Sequence, residues 1–147
     1  GIPQDGVDLL VKFSNRSSNS SNYLSFNGDD GTTNYNYASR YLEGQGGSGS
    51  GPLARVLSNE HEQTIPDPQR TSTTSQLFGN GEIYVTGYAL TGQKSYSLDY
   101  VTEDSAATAF AFFFAAKYAG TAAITSLKIR LNQQEFSTFS LYKVTTD

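Results

Sequence analysis

The stretch Ala106-Ala107-Thr108-Ala109-Phe110-Ala111-Phe112-Phe113-Phe114-Ala115-Ala116 decides the fold class. Its alanines favour a helix. Its large side chains do not: Phe110, Phe112 and Phe114 recur every second residue against Ala109, Ala111, Phe113 and Ala115, and Gly120-Thr121 closes the run like a turn. A spacing of two is the period of a strand, so the segment reads as β. Phenylalanine then sits on both faces of one strand. One face fills a core, and Phe113, on the other, needs a cover supplied by a loop or a neighbouring subunit.

The same period recurs outward from this strand. Ala123, Thr125, Leu127, Ile129 and Leu131 alternate with Ile124, Ser126, Lys128 and Arg130, and Phe139 and Leu141 alternate with Ser140, Tyr142 and Val144. Residues 124–131 and 139–144 are expected to pair as a hairpin. Upstream, Tyr96, Leu98 and Tyr100 share a face, Ile83, Val85 and Tyr88 lie in one run, and Thr91-Gly92 reads as a turn. In the first half, Val7, Leu9, Val11 and Phe13 alternate, residues 23–27 form a short strand, and Tyr35, Tyr37, Ser39 and Tyr41 alternate with Asn34, Asn36, Ala38 and Arg40. Between these lie a Ser/Asn-rich exposed loop at 14–22, a Gly/Ser connector at 44–52, an apolar piece without clear period at 53–57, and a polar loop with Pro66 and Pro68 at 59–75. About eight strands are expected, in an all-β, two-sheet antiparallel β-sandwich, with a jelly roll as first choice.

Composition agrees. The 147 residues suit one domain spanning 1–147, with a core large enough to need no staple. Ten Tyr, nine Phe and fourteen Gly favour strands and turns. With no Cys, thiol catalysis and disulfides are excluded, and the single His61 rules out a His-rich metal cluster. A net charge of −4 argues against nucleic acid and anionic membranes as partners. The most apolar window is too short to cross a bilayer, and no basic start with an apolar run marks a signal peptide. Gly1-Ile2-Pro3 has the small first residue that initiator-Met removal leaves, as a whole gene product would.

Three segments carry a resemblance. They are Phe26-Asn27-Gly28-Asp29 with Asn34-Tyr35, then Ala123-Ile124-Thr125-Ser126-Leu127-Lys128-Ile129, then Phe136 with Phe139-Ser140-Leu141-Tyr142-Lys143-Val144. Together the chain resembles a jelly-roll domain of tailed-bacteriophage virion proteins, found in head decoration proteins and in tail fibres or other adsorption proteins. The family often has Trp before the second motif and Gly after the Leu-Tyr of the third; here Trp is absent and Lys143 replaces the Gly. The resemblance implies a capsid decoration (cement) protein on the outer head surface of the virion, with the major capsid protein as partner and a homotrimer as working state. The alternative is a receptor- or glycan-binding tip domain on the tail, with a glycan receptor as partner. A secreted carbohydrate-binding module is a third class, disfavoured by the missing Trp.

Several candidate sites follow. Gly1, Ile2, Pro3 and Gln4, within an extended N-terminal arm at residues 1–6, are expected to grip the capsid. Phe113, Ile124 and Tyr142 are expected at a subunit interface, each opposite a core-facing row. Tyr35, Tyr37 and Tyr41 form a candidate glycan-stacking or contact face, with core use as the simpler reading. The oxygen-rich segment 27–34 has the makings of a calcium loop but lacks EF-type spacing, so a plain turn is favoured. Glu60, His61, Glu62 and Asp67 read as solvated groups, since no nucleophile or oxyanion hole accompanies them. Asn15-Arg16-Ser17 and Asn19-Ser20-Ser21 match a glycosylation pattern that such a loop produces by chance. No catalytic residue, metal or cofactor is expected.

Overall fold

The computed structural model describes residues 1–16, 22–30, 35–46, 53–65, 78–103, 109–130 and 137–146. Ten strands run in order: β1 (Asp8–Asn15), β2 (Asn22–Phe26), β3 (Tyr37–Gly46), β4 (Leu53–Glu60), β5 (Gln63–Ile65), β6 (Gly79–Val85), β7 (Lys94–Glu103), β8 (Ala109–Tyr118), β9 (Leu127–Arg130) and β10 (Thr138–Val144). They form two sheets, a seven-stranded one in the order β10-β1-β6-β7-β8-β3-β4 and a three-stranded one in the order β5-β2-β9, antiparallel throughout. The expected all-β sandwich is therefore what the chain forms. A jelly roll has eight strands. The described residues form ten, divided seven and three.

The period-two pattern builds the inner face of the large sheet row by row, because antiparallel register sets same-face residues side by side. Phe139, Phe13, Gly81, Tyr100 and Phe112 make one row across β10, β1, β6, β7 and β8. Leu141, Val11, Ile83, Leu98, Phe114 and Tyr41 make the next, and Leu9, Val85 and Tyr96 the one after. In the first row the rings touch in sequence: Phe139–Phe13 at 6.0 Å, Phe13–Tyr100 at 5.6 Å and Tyr100–Phe112 at 6.2 Å between centroids. Gly81 makes this possible. A Cβ there would lie 2.6 Å from both Phe13 Cζ and the Asp99 carbonyl oxygen, so the rings close over a backbone that has no side chain.

The small sheet supplies the opposing layer. Phe26 wedges among Tyr37, Tyr96 and Tyr118 with centroids 6.1, 5.5 and 5.3 Å away, two of the three edge-on, an arrangement aromatic quadrupoles favour. Buried phenols need partners, and they find them across the layers. The Phe26 N–H donates to the Tyr37 hydroxyl at 2.8 Å, and the Tyr96 hydroxyl donates to Gln63 Oε1 at 2.9 Å.

Several expectations are corrected. Residues 124–131 and 139–144 do not form a hairpin: β9 pairs with β2 and β10 with β1, in different sheets. The backbone before Leu127 is held by loop bonds instead, with the Ile124 N–H donating to Tyr88 O at 2.8 Å. The piece at 53–57 is part of β4, and β5 interrupts the loop expected at 59–75. As a sheet-edge strand, β4 lacks the two-sided packing that imposes a clean pattern. β3 continues to Gly46, into the expected connector, whose remaining residues 47–52 lie outside the described residues. Asn15 and Asn22, assigned to an exposed loop, end β1 and begin β2 and are buried, while residues 17–21 of that loop are not described.

Two predictions follow. Gly81→Val overpacks the Phe13–Tyr100 row and should lower stability by about 1–3 kcal/mol in chemical denaturation. The second concerns pH. Burial pushes the phenols of Tyr37 and Tyr96 up, and burial with nearby Asp29 raises Tyr118 to about 12. Unfolded tyrosines ionise near pH 10, so the folded state holds these protons more tightly. Their stabilisation is complete below pH 10 and is lost as pH rises through the raised values. Lys94, lowered by burial, acts in the opposite sense. Titration of phenolate absorbance should show a set including Tyr37, Tyr96 and Tyr118 ionising only with cooperative unfolding above pH 10. A single smooth titration of all ten tyrosines would contradict this.

Candidate interaction surfaces

The two faces of the large sheet differ: the small sheet lies over the inner face, and no described strand lies over the outer one. On the outer face, register places Ser140, Lys12, Glu82, Asp99, Phe113 and Leu42 in one row, with Leu10, Tyr84, Ser97, Ala115, Arg40 and Val56 in the next. The β1–β6 half is polar: Lys12 and Glu82 pair at 3.6 Å, and the Tyr84 hydroxyl donates to Asp8 at 2.6 Å. The β8–β3–β4 half is apolar. Leu42, Val56 and Phe113 are 57, 61 and 54 % exposed, and Val101 beside them is 51 % exposed. Arg40, Leu42, Val56, Phe113 and Ala115 line a shallow concavity of about 510 Å³ on this side. Large apolar groups grouped on one face, with Arg40 and Asp99 flanking them, are the pattern of a protein-binding patch.

The residues expected at a subunit interface divide. Phe113 lies at the centre of the apolar patch, and Tyr142 is exposed on the same outer face. Three strands lie between them in the sheet order, four spacings or about 19 Å at ordinary strand spacing. Ile124 is a correction: it is fully buried, because 123–126 is a loop turned inward under Tyr88 rather than a strand with an outer face.

The tyrosine face is also corrected. Tyr37 is buried under Phe26, and Tyr41 points inward, stacked on Phe114 at 4.6 Å. Tyr35 precedes β3 and rests on the His61 ring at 4.0 Å. The three rings form no common platform. They share the strand period in sequence, but the period's inward side is the core.

The N-terminal segment is docked on its own domain. The Ile2 N–H donates to Thr125 O at 2.8 Å, and Gln4 Nε2 donates to Ile2 O and Ile124 O at 2.9 Å. The Gly6 N–H donates to the Tyr88 hydroxyl, which itself donates to Pro3 O. Asp5 pairs with Lys143 at 2.8 Å, and that hydrogen bond holds its carboxyl below the usual range. Gly1, Ile2, Pro3 and Gln4 thus cap the flank of the sandwich instead of projecting as a free arm.

The turn at 27–30 works as a clasp. Asn27 and Gly28 adopt φ of 55° and 69°, which Asn and Gly tolerate best. Asn27 Nδ2 donates to Ala123 O at 2.9 Å, and its Oδ1 accepts from the N–H groups of Thr125 and Ser126 at 2.8 and 3.3 Å. Asn36 donates to Asp29, and Lys128 pairs with Asp30, so these side chains serve to fasten the turn; residues 31–34 lie outside the described residues. In the acid-rich segment, Glu62 is buried and paired with Arg130, whose guanidinium lies 4.5 Å over Tyr23. Asp67 and the second glycosylation pattern lie outside the described residues. No group of three or more His, Asp or Glu able to hold a metal occurs among the described residues. No helix among them is long and apolar enough to cross a membrane.

No family model, curated protein or solved structure matches the chain.

Asn27 sets up a discriminating pair of substitutions. Asn27→Ala loses the amide bonds and strains the positive φ, and should cost about 2 kcal/mol. Asn27→Gly keeps the φ and loses only the bonds, so it should cost less. Equal losses in urea denaturation would show that φ contributes nothing.

Proposed function

We propose that the chain is a bacteriophage virion structural protein, a capsid decoration (cement) protein that braces the outer head lattice by protein–protein contacts. The observation that carries this reading is the exposed apolar half of the large sheet's outer face, centred on Phe113 with Leu42, Val56 and Val101. Such a patch is suited to a flat protein surface, and the major capsid protein is the partner we assign to it. The sequence motifs support the same reading by where they fall. The Asn27 turn clasps 123–126, Phe26 pairs with Leu127, and the Phe139–Val144 motif is β10, beside β9 on the same flank.

The alternative, a receptor- or glycan-binding tip domain of the tail, draws no support from Tyr35, Tyr37 and Tyr41, which share no common platform.

Phe113→Glu tests the assignment. The side chain is half exposed on the outer face, so the substitution should change the melting temperature little. It should reduce binding to capsids lacking the protein at least tenfold in co-sedimentation. Unchanged capsid binding, or labelling of the protein at the tail in virion images, would refute the assignment.

A further inference from the structure

Beyond its outer face, the sandwich is open along one flank. β10 ends the large sheet and β9 ends the small one, and no described strand pairs with the free edge of either. Between them runs a groove of about 460 Å³ lined by Ile2, Val11, Leu127, Ile129, Phe139 and Leu141. Leu141 occupies an inner-face position, directly across from buried Val11, yet it is 47 % exposed. Among the described residues the groove is therefore an unfilled margin of the core beside an unpaired strand edge.

Edge strands in soluble proteins are ordinarily guarded by charge, proline or bulges. β10 reads Thr138-Phe139-Ser140-Leu141-Tyr142-Lys143-Val144, with no proline. Its one charge, Lys143, lies near the end and is paired with Asp5. An unguarded edge next to an apolar groove fits an added antiparallel strand, whose backbone would complete the ladder and whose alternate side chains would enter the groove.

We propose that the occupant is β10 of a second copy, joined about a two-fold axis at Ser140. The strand's own sequence selects this register. Antiparallel pairing must set inner-face residues opposite inner-face residues, so the axis passes through a residue rather than between two. Centred on Ser140, the pairing sets Phe139 against Leu141 of the other copy, twice, and Thr138 against Tyr142, twice. It leaves Lys143 outside the paired core, so no like charges meet. Aromatic–aliphatic cross-strand pairs of this kind are among the favourable ones. The axis runs perpendicular to the sheet, so both small sheets lie on the same side. The two grooves then merge, and each Leu141 is covered from the other copy. The contact is isologous and closed, giving a dimer with one continuous sheet and no further growth along that edge.

The absence of native cysteine makes the test direct. Light scattering of the purified full chain should give twice the chain mass. Ser140→Cys should form an intermolecular disulfide on mild oxidation, because the two side chains face each other across the axis. Lys12→Cys, one strand in from the edge, should not. Leu141→Lys places a charge in the merged groove and should yield a monomer that keeps its β-sheet circular dichroism. Should that variant fail to fold, the Ser140→Cys cross-link in the otherwise native chain still decides. A monomer or a trimer at all concentrations overturns the proposal. So does a dimer that fails to cross-link through Cys at 140 or that survives Leu141→Lys. Phe113→Glu should leave the dimer intact, which separates this contact from the outer-face reading.

Discussion

The structure depends on a mismatch in size between its two layers. Seven strands at ordinary spacing span about 29 Å between the outermost axes, and three span about 10 Å. The inner face of the large sheet carries apolar rows along most of that width, from Phe139 and Leu141 on β10 to Tyr41 on β3. A three-stranded roof covers only part of it. The remainder must be hidden by other means or stay exposed.

On the β1–β6 side, other segments supply the cover. The loop 119–126 folds inward and buries Ile124, Tyr88 drops from the β6–β7 turn, and the first residues of the chain lie across both. The Asn27 amide holds that loop by three backbone groups and so ties the end of β2 to the approach of β9. An uncharged turn residue therefore makes contacts across nearly a hundred positions of sequence. Where the fillers end, at β10, the core margin remains open, and Leu141 lies half in water.

The aromatic share of the core has a related cause. Without Trp or Met, wide interlayer space is filled by Tyr and Phe. Each buried phenol then brings a hydroxyl that needs a partner. Tyr37 and Tyr96 turn that need into bonds between the layers, to the Phe26 N–H and to Gln63. The same groups tie the stability of the sandwich to the protonation of its tyrosines.

The sequence by itself determined the class, the inner rows and the turns. Leu9-Val11-Phe13, Tyr96-Leu98-Tyr100 and Phe112-Phe114 are legible because a strand roofed on one face must place apolar groups at every second position. Phe113 was legible as an exposed aromatic for the same reason. Tertiary structure decided which strand lies beside which, and that changed the meaning of several residues. Residues 123–131 alternate well enough to read as one strand, yet of the described ones only Leu127–Arg130 enter a ladder, because the backbone before them bonds to Tyr88 and Asn27. Tyr37 and Ile124 look available in sequence and are core, and residues 1–6 look free and are docked. Periodicity records which side of a strand is apolar. It carries no record of what covers that side, since cover comes from segments distant in sequence, and only the folded chain brings them together.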